Sequence, residues 1–171
     1  ASPDPKKTSS RAQRFLVSHG YKGKIFPVNP NRQEIFGLKC YPNLKSIDEH
    51  VDHVFIAVHG SKIIGSIKDA ISKKVRCATI LSGGFSESGS EGNDLEKHIF
   101  NLAKKGDLRI LGPNSIGLIN ISDNVILSAN AMLELQDLKK GSLGVISHSG
   151  SLIGALLLSL IHISEPTRQA S

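Results

Sequence analysis

One pattern recurs along the chain: a short unbroken run of β-branched or aliphatic residues, then a loop of glycine, proline, serine or asparagine, then apolar residues at helical spacing. Val54-Phe55-Ile56-Ala57-Val58 gives way to His59-Gly60-Ser61 and then to Ile63, Ile64, Ile67, Ala70 and Ile71. Cys77-Ala78-Thr79-Ile80-Leu81 gives way to Ser82-Gly83-Gly84 and then to Leu95, Ile99, Leu102 and Ala103. Leu108-Arg109-Ile110-Leu111 repeats the start of the pattern and runs into Gly112-Pro113-Asn114. A run without polar alternation marks a strand covered on both faces. A helix between consecutive strands makes them parallel neighbours joined by crossovers. The pattern predicts an α/β fold: a Rossmann-like, doubly wound parallel sheet whose ligand lies at the carboxyl ends of the strands.

Lys24-Ile25-Phe26-Pro27-Val28 reads as one more strand of this sheet. Before it, Ala12, Phe15, Leu16 and His19 share a helical face, with Thr8-Ser9-Ser10 as cap candidates and Gly20 as a stop. The sequence opens on Ala1-Ser2-Pro3-Asp4-Pro5-Lys6-Lys7, which has the chemistry of a strand-to-helix loop. The strand that should feed this loop, the central one of the sheet, is therefore expected upstream of residue 1.

Past Ile119 the rhythm changes, and a polar linker ends in Leu138-Lys139-Lys140-Gly141. This places a domain boundary near residue 140: residues 1–140 form the nucleotide-binding domain with its linker. Residues 141–157 begin a second, flavodoxin-like α/β domain with a strand over Leu143-Gly144-Val145-Ile146-Ser147 and a helix entered through His148-Ser149-Gly150-Ser151. Residues 158–171 resemble a translated sequencing adapter and are left out of fold reasoning.

Composition narrows the partners. Apolar residues at 39% and charged residues at 21% are those of a globular chain. Aromatics make up only 5% and tryptophan is absent, which argues against a base-stacking nucleic-acid surface. The net charge of +6 suits a phosphorylated small molecule, although the basic residues are scattered as solvated helix ends are. Cys40 and Cys77 have no metal-ligand spacing, so no metal site is expected, and their number fits a reducing cytosol. No run approaches the length of a membrane-spanning helix.

Candidate ligand contacts follow from the loops. Ser2, Pro3, Asp4, Pro5, Ser9 and Ser10 lie where a helix amino terminus offers free amides to a phosphate, with simple capping as the alternative. The loop after the second run, Asn29-Pro30-Asn31-Arg32, has no acid until Glu34, whereas a sheet that takes NAD puts one there for the ribose hydroxyls. Arg32 instead offers a cation suited to a phosphorylated ribose, as in CoA or NADP, or is an exposed turn charge. Val58, Ser82, Gly83, Gly84 and Asn114 line the next tips, where glycine allows close approach of a ligand. His59 reads as a polar strand cap rather than a base. Ser147, Ser149, Gly150 and Ser151 suit a phosphate-binding turn or a plain helix cap. A serine nucleophile is disfavoured, because the hydrolase elbow needs glycines where Ser147 and Ser151 stand.

Taken in order, Ala1-Ser2-Pro3, Pro27-Val28-Asn29-Pro30, Ile80-Leu81-Ser82-Gly83-Gly84-Phe85, Gly112 to Asn120 and Val145-Ile146-Ser147-His148-Ser149-Gly150 resemble the CoA-binding domain of NDP-forming acyl-CoA synthetases, relatives of the succinyl-CoA synthetase α subunit. The resemblance runs from Ala1 to about Leu157. It implies that CoA lies across the first domain, met by Ser2 to Pro5, Arg32 and Ser82 to Gly84. It also implies a ligase that converts acyl-CoA, phosphate and ADP to carboxylate, CoA and ATP through a phosphohistidine. That histidine lies outside this sequence, so no catalytic residue is assigned and His148 is not it. ADP or ATP with magnesium would bind in an ATP-grasp domain or β subunit, within an oligomer. Gly154 stands where succinate enzymes carry a tyrosine, which favours acetate or another small carboxylate. Two other readings stay open: the CoA-binding module of a protein lysine acetyltransferase, and an NADP-binding sheet of a reductase or sensor.

Overall fold

A computed structural model describes residues 1–134 and 138–163. Helix α1 (Thr8–Ser18) follows the opening loop. A two-strand hairpin comes next, β1 (Glu34–Ile35) and β2 (Leu38–Lys39), turning through Phe36 and Gly37, both at positive φ. Then the expected alternation appears: β3 (His53–Ile56), α2 (Lys62–Ser72), β4 (Cys77–Ile80), α3 (Ser90–Lys105) and β5 (Arg109–Leu111). The three strands form one parallel sheet in the order β3-β4-β5, with His53 beside Cys77 and Cys77 beside Arg109. The βα rhythm thus gives the parallel Rossmann-like sheet that it predicts.

Burial follows position in that sheet. Ala78, Thr79 and Ile80 of the flanked strand β4 are buried, and Thr79 is fully so. His53, Val54 and Phe55 of β3 are only half-buried, because β3 pairs on one side alone. Ile63, Ile67 and Ala70 press the inner face of α2 into the core formed by the sheet, and Ile99 and Ala103 do the same for α3. A second cluster holds Phe15 of α1 against Ile126 and Leu133. Ile126 belongs to the antiparallel hairpin β6 (Gly117–Asn120) and β7 (Val125–Ser128), which follows the sheet. Helix α4 (Gly150–Ile163) ends the described residues.

Two expected strands do not form. Lys24-Ile25-Phe26-Pro27 is not in a ladder, and Val28 makes a single parallel bridge to Tyr41. Leu143 to Ser147 is likewise irregular, and Ile146 is fully exposed. Both failures have one cause: a strand needs a neighbour to satisfy its amides and carbonyls, and neither segment has a strand beside it among the described residues. Residues 135–137 of the linker and 164–171 of the adapter-like tail lie outside the described residues.

Candidate nucleotide-binding site

Three loop tips are tied together by hydrogen bonds at the carboxyl end of the sheet. The Ser82 hydroxyl, only 3% exposed, donates to the carbonyl of Val58. The amide of Asn114 donates to the carbonyl of Ser82 at 3.0 Å, and that of Ser115 to Ile80 at 3.0 Å. Asn114 and Gly112, which flanks a cis bond to Pro113, both take positive φ in this turn. The loops after β3, β4 and β5 therefore meet at Ser82, and its hydroxyl is bonded to protein rather than offered outward. Gly83 is exposed, and a Cβ added there would lie 3.6 Å from the Asn114 side-chain oxygen. The Glu87 carboxylate is closer still, at 2.8 Å from that position.

The electrostatics of this loop are informative. Glu87 accepts from the amide of Gly84 at 2.7 Å. Hydrogen bonds from its own amide and from Gly84 hold its carboxyl below the usual carboxylate range. A carboxylate already occupies the donor that a phosphate would need. The Gly83–Gly84 segment thus suits an uncharged portion of a ligand, and anionic portions must be met elsewhere.

The first two loops form a second cluster. The Ala1 ammonium donates to the carbonyl of Val28, and the Asn29 side-chain amide returns a bond to the Ala1 carbonyl at 2.8 Å. The Ser2 hydroxyl accepts from the amide of Asp4, whose carboxylate accepts from the backbone amide of Lys6 at 2.9 Å. The Pro5 carbonyl accepts from Ser10 and Arg14. Ser10 is buried and donates as well to Lys7, so it braces the loop from beneath. The cap position is Lys7 with no side-chain cap, one residue before the Thr8-Ser9-Ser10 candidates. Pro3, Asp4 and Pro5 are exposed and Ser9 is half-buried, while the amide of Lys7 donates to the Asp4 carbonyl at 3.2 Å and that of Ser10 to the Lys7 carbonyl at 3.0 Å. Pro30 and Arg32 are exposed on the turn closed by the Arg32 amide on the Asn29 carbonyl at 3.4 Å.

The four residues of the later turn behave as a helix cap. The Ser149 hydroxyl accepts from the amide of Leu152 at 3.2 Å and lies 3.0 Å from that of Ser151. Ser147 accepts from the Ser149 amide at 3.0 Å. Gly150 packs toward Ile116, and His148 is exposed. His59 is exposed too. Among the described residues there is no metal-ligating cluster, and no helix is long and apolar enough to cross a membrane.

A cleft of about 440 Å³ lies away from these residues. It lies between Lys24–Val28 and β3, and of the candidates only Ser9 lines it. Sequence reasoning overlooked two contributors: Glu87, whose role depends on a turn that no motif announces, and Gln13, a buried polar residue of α1.

A parallel βα sheet whose loop tips are tied together at the carboxyl ends of its strands has the architecture of a nucleotide-binding α/β domain. The comparisons make the class particular. The chain belongs to the CoA binding domain family, whose model matches residues 1–121. It is 35% identical over 152 residues to the ADP-forming acetate–CoA ligase II of Archaeoglobus fulgidus, covering 89% of this chain and 22% of that protein. It is 34% identical over 161 residues to the α subunit of the ADP-forming acetate–CoA ligase II of Pyrococcus furiosus, covering 94% and 34%. The fold superposes with a TM-score of 0.86 on the dinucleotide-forming acetyl-coenzyme A synthetase 1 of Ca. Korarchaeum cryptofilum, solved with phosphate and ADP; identity is 34%, over 95% of this chain and 34% of that one. The chain spans between about a fifth and a third of the length of these relatives.

Proposed function

We propose that this chain is the CoA-binding part of an ADP-forming acid–CoA ligase acting on acetate or another small carboxylate. The observation that carries the reading is the convergence of Val58, Ser82, Gly83 and Asn114 at one end of a parallel sheet, in a chain of the CoA-binding family. The residues fit CoA. Arg32 is exposed and carries no acid beside it in its turn, which suits the ribose 3′-phosphate. The first-turn amides of α1 behind Ser2, Pro3, Asp4 and Pro5 suit the diphosphate, with Ser9 at the rim and Ser10 bracing the loop. Asn29 and Pro30 hold the adenosine end. Gly83 and Gly84, with Glu87 already on the Gly84 amide, suit the neutral pantetheine arm. Bound in this way, CoA supplies the thiol that carries the acyl group.

In this reading the remaining chemistry lies outside residues 1–157: an ATP-grasp domain or β subunit as partner, a phosphohistidine, and ADP or ATP with magnesium. In this reading Ser147, Ser149, Gly150 and Ser151 cap the helix that faces the phosphohistidine. The whole enzyme is an oligomer of the cytoplasm. Residues 1–140 are the CoA domain, 141–157 open the next domain, and 158–171, of which 158–163 continue helix α4, derive from an adapter.

The test is calorimetric titration of the chain with CoA, dephospho-CoA, NADP and NAD. CoA should bind at least about tenfold more tightly than dephospho-CoA, a difference of about 1.4 kcal/mol, and Arg32→Ala should abolish that preference. Tighter binding of NADP than of CoA would overturn the reading in favour of a reductase or sensor.

A further inference from the structure

In the loop after β4, one glycine stands where its backbone does not call for glycine. Gly84 takes positive φ, but Gly83 lies outside the left-handed region. What Gly83 supplies is room. A Cβ there would come within 2.8 Å of the Glu87 oxygen Oε1 and 3.6 Å of the Asn114 oxygen. Both side chains therefore face one point on the exposed surface of Gly83, and no side chain of residue 83 fills the space between them.

The two flanking groups are held and only partly used. The amide of Gly84 donates to Glu87 at 2.7 Å. The short turn Ser86–Ser88 that carries Glu87 is anchored behind by the fully buried Phe85, whose carbonyl accepts from the Ser88 amide at 2.7 Å. From the other side, Glu96 accepts from the Ser86 amide at 3.1 Å. A carboxylate offers about four acceptor positions, and the bonds from Gly84 and from its own amide use only part of them while keeping Glu87 charged. Asn114 is fixed through its backbone, whose amide donates to the Ser82 carbonyl at 3.0 Å. Its exposed side-chain amide has no partner among the described residues and keeps both its donor and its acceptor. The space over Gly83 is thus bordered by a charged acceptor on one side and a free donor on the other. A phosphate is repelled there. A secondary amide is matched, since its N–H donates to a carboxylate and its carbonyl accepts from an asparagine.

With CoA as the ligand, the reading on which this rests, we propose that Glu87 is a specificity-determining residue for the pantetheine arm: over Gly83 its carboxylate accepts from an amide N–H of the arm, while the Asn114 side chain donates to an amide carbonyl. The arm carries secondary amides and no charge, so it meets both groups. Nucleotides that share the adenosine and phosphates of CoA but lack the arm leave both groups to water. Preorganisation of Glu87 by Gly84, Phe85 and Glu96 spares the ligand the cost of ordering that side chain.

The experiment is calorimetric titration of the chain and of Glu87→Ala, Glu87→Gln and Gly83→Ala with three kinds of ligand. These are CoA, adenosine 3′,5′-bisphosphate, which has no arm, and CoA analogues in which each arm amide in turn is replaced by an ester, which has no N–H. The unsubstituted chain should bind one ester analogue at least about tenfold more weakly than CoA, a comparison that requires no substitution. Glu87→Ala should weaken CoA by about the same factor, erase the difference between amide and ester, and leave the bisphosphate unchanged. Glu87→Gln, which keeps an acceptor, should recover part of the loss. Gly83→Ala should weaken CoA alone by filling the space. Equal weakening of CoA and the bisphosphate by Glu87→Ala would make Glu87 a brace of the turn and overturn the proposal. A chain that binds CoA but does not distinguish amide from ester overturns this proposal alone, whereas a chain that binds no CoA overturns the CoA reading and this proposal with it.

Discussion

Ser82 joins two loops through one side chain, and its burial makes the consequence measurable. Ser82→Ala removes the donor to the carbonyl of the half-buried Val58 and leaves that acceptor without its bond. The loss should be about 1 kcal/mol of stability, read from the urea midpoint, with weaker CoA binding because Val58 and Asn114 no longer share an anchor. His53 carries a different signal. Its ring nitrogen lies 2.9 Å from the Thr79 hydroxyl, and burial lowers its pKa from the usual 6.5. The folded state then binds fewer protons than the unfolded one as pH falls below 6.5, so stability declines in that window. Tm measured between pH 7.5 and 5.5 should fall, and His53→Gln should flatten the slope. A slope unchanged by that substitution would assign the effect to other groups.

The elements show which sequence signals are legible and why others are not. Unbroken runs such as Cys77 to Ile80 announce buried parallel strands, because burial on both faces removes polar alternation. The helices α1, α2 and α3 are equally plain, since one face must be apolar to pack. The hairpin β1–β2 is not, because its turn uses Phe36 at positive φ in place of the asparagine or aspartate that marks such turns. Lys24 to Val28 and Leu143 to Ser147 look like strands and are not paired, since pairing is a property of neighbours and not of the segment. At the site, the glycines and Asn114 are legible as loop chemistry, whereas Glu87 acts through a contact that only the folded turn creates. Gly92 belongs to this scale as well. A Cβ there would come within 1.9 Å of the Phe85 carbonyl, at the point where α3 closes on the glycine loop. Gly92→Ala should therefore cost about 2 to 3 kcal/mol by thermal unfolding and loosen the Ser82–Gly84 turn, whereas Gly65→Ala in α2, with open space around it, should be tolerated.

At the scale of the whole molecule, the two hydrophobic clusters sit on different parts of the chain, and the cleft lies between their elements. The larger one joins the β3-β4-β5 sheet to α2 and α3; the smaller joins α1 to β6–β7 through Phe15, Ile126 and Leu133. Links between them include Gln13 to the Ile35 carbonyl and Ala1 to the Val28 carbonyl. Cleft walls come from both groups: Ala12 and Leu16 of α1 and Leu127 of β7 on one part, Val54 and Phe55 of β3 on the other. Apolar contact is what couples parts of a domain into one cooperative unit, and a cleft of this size removes such contact where the two groups would otherwise meet. Native-state hydrogen exchange should then resolve two opening units, with β4 the most protected and α1 with the hairpin exchanging through a smaller opening. Phe15→Ala should release the amides of α1 and β7 while leaving those of β4 at their original rate, and a single common rate for both groups would show that the links suffice to make the chain one cooperative body.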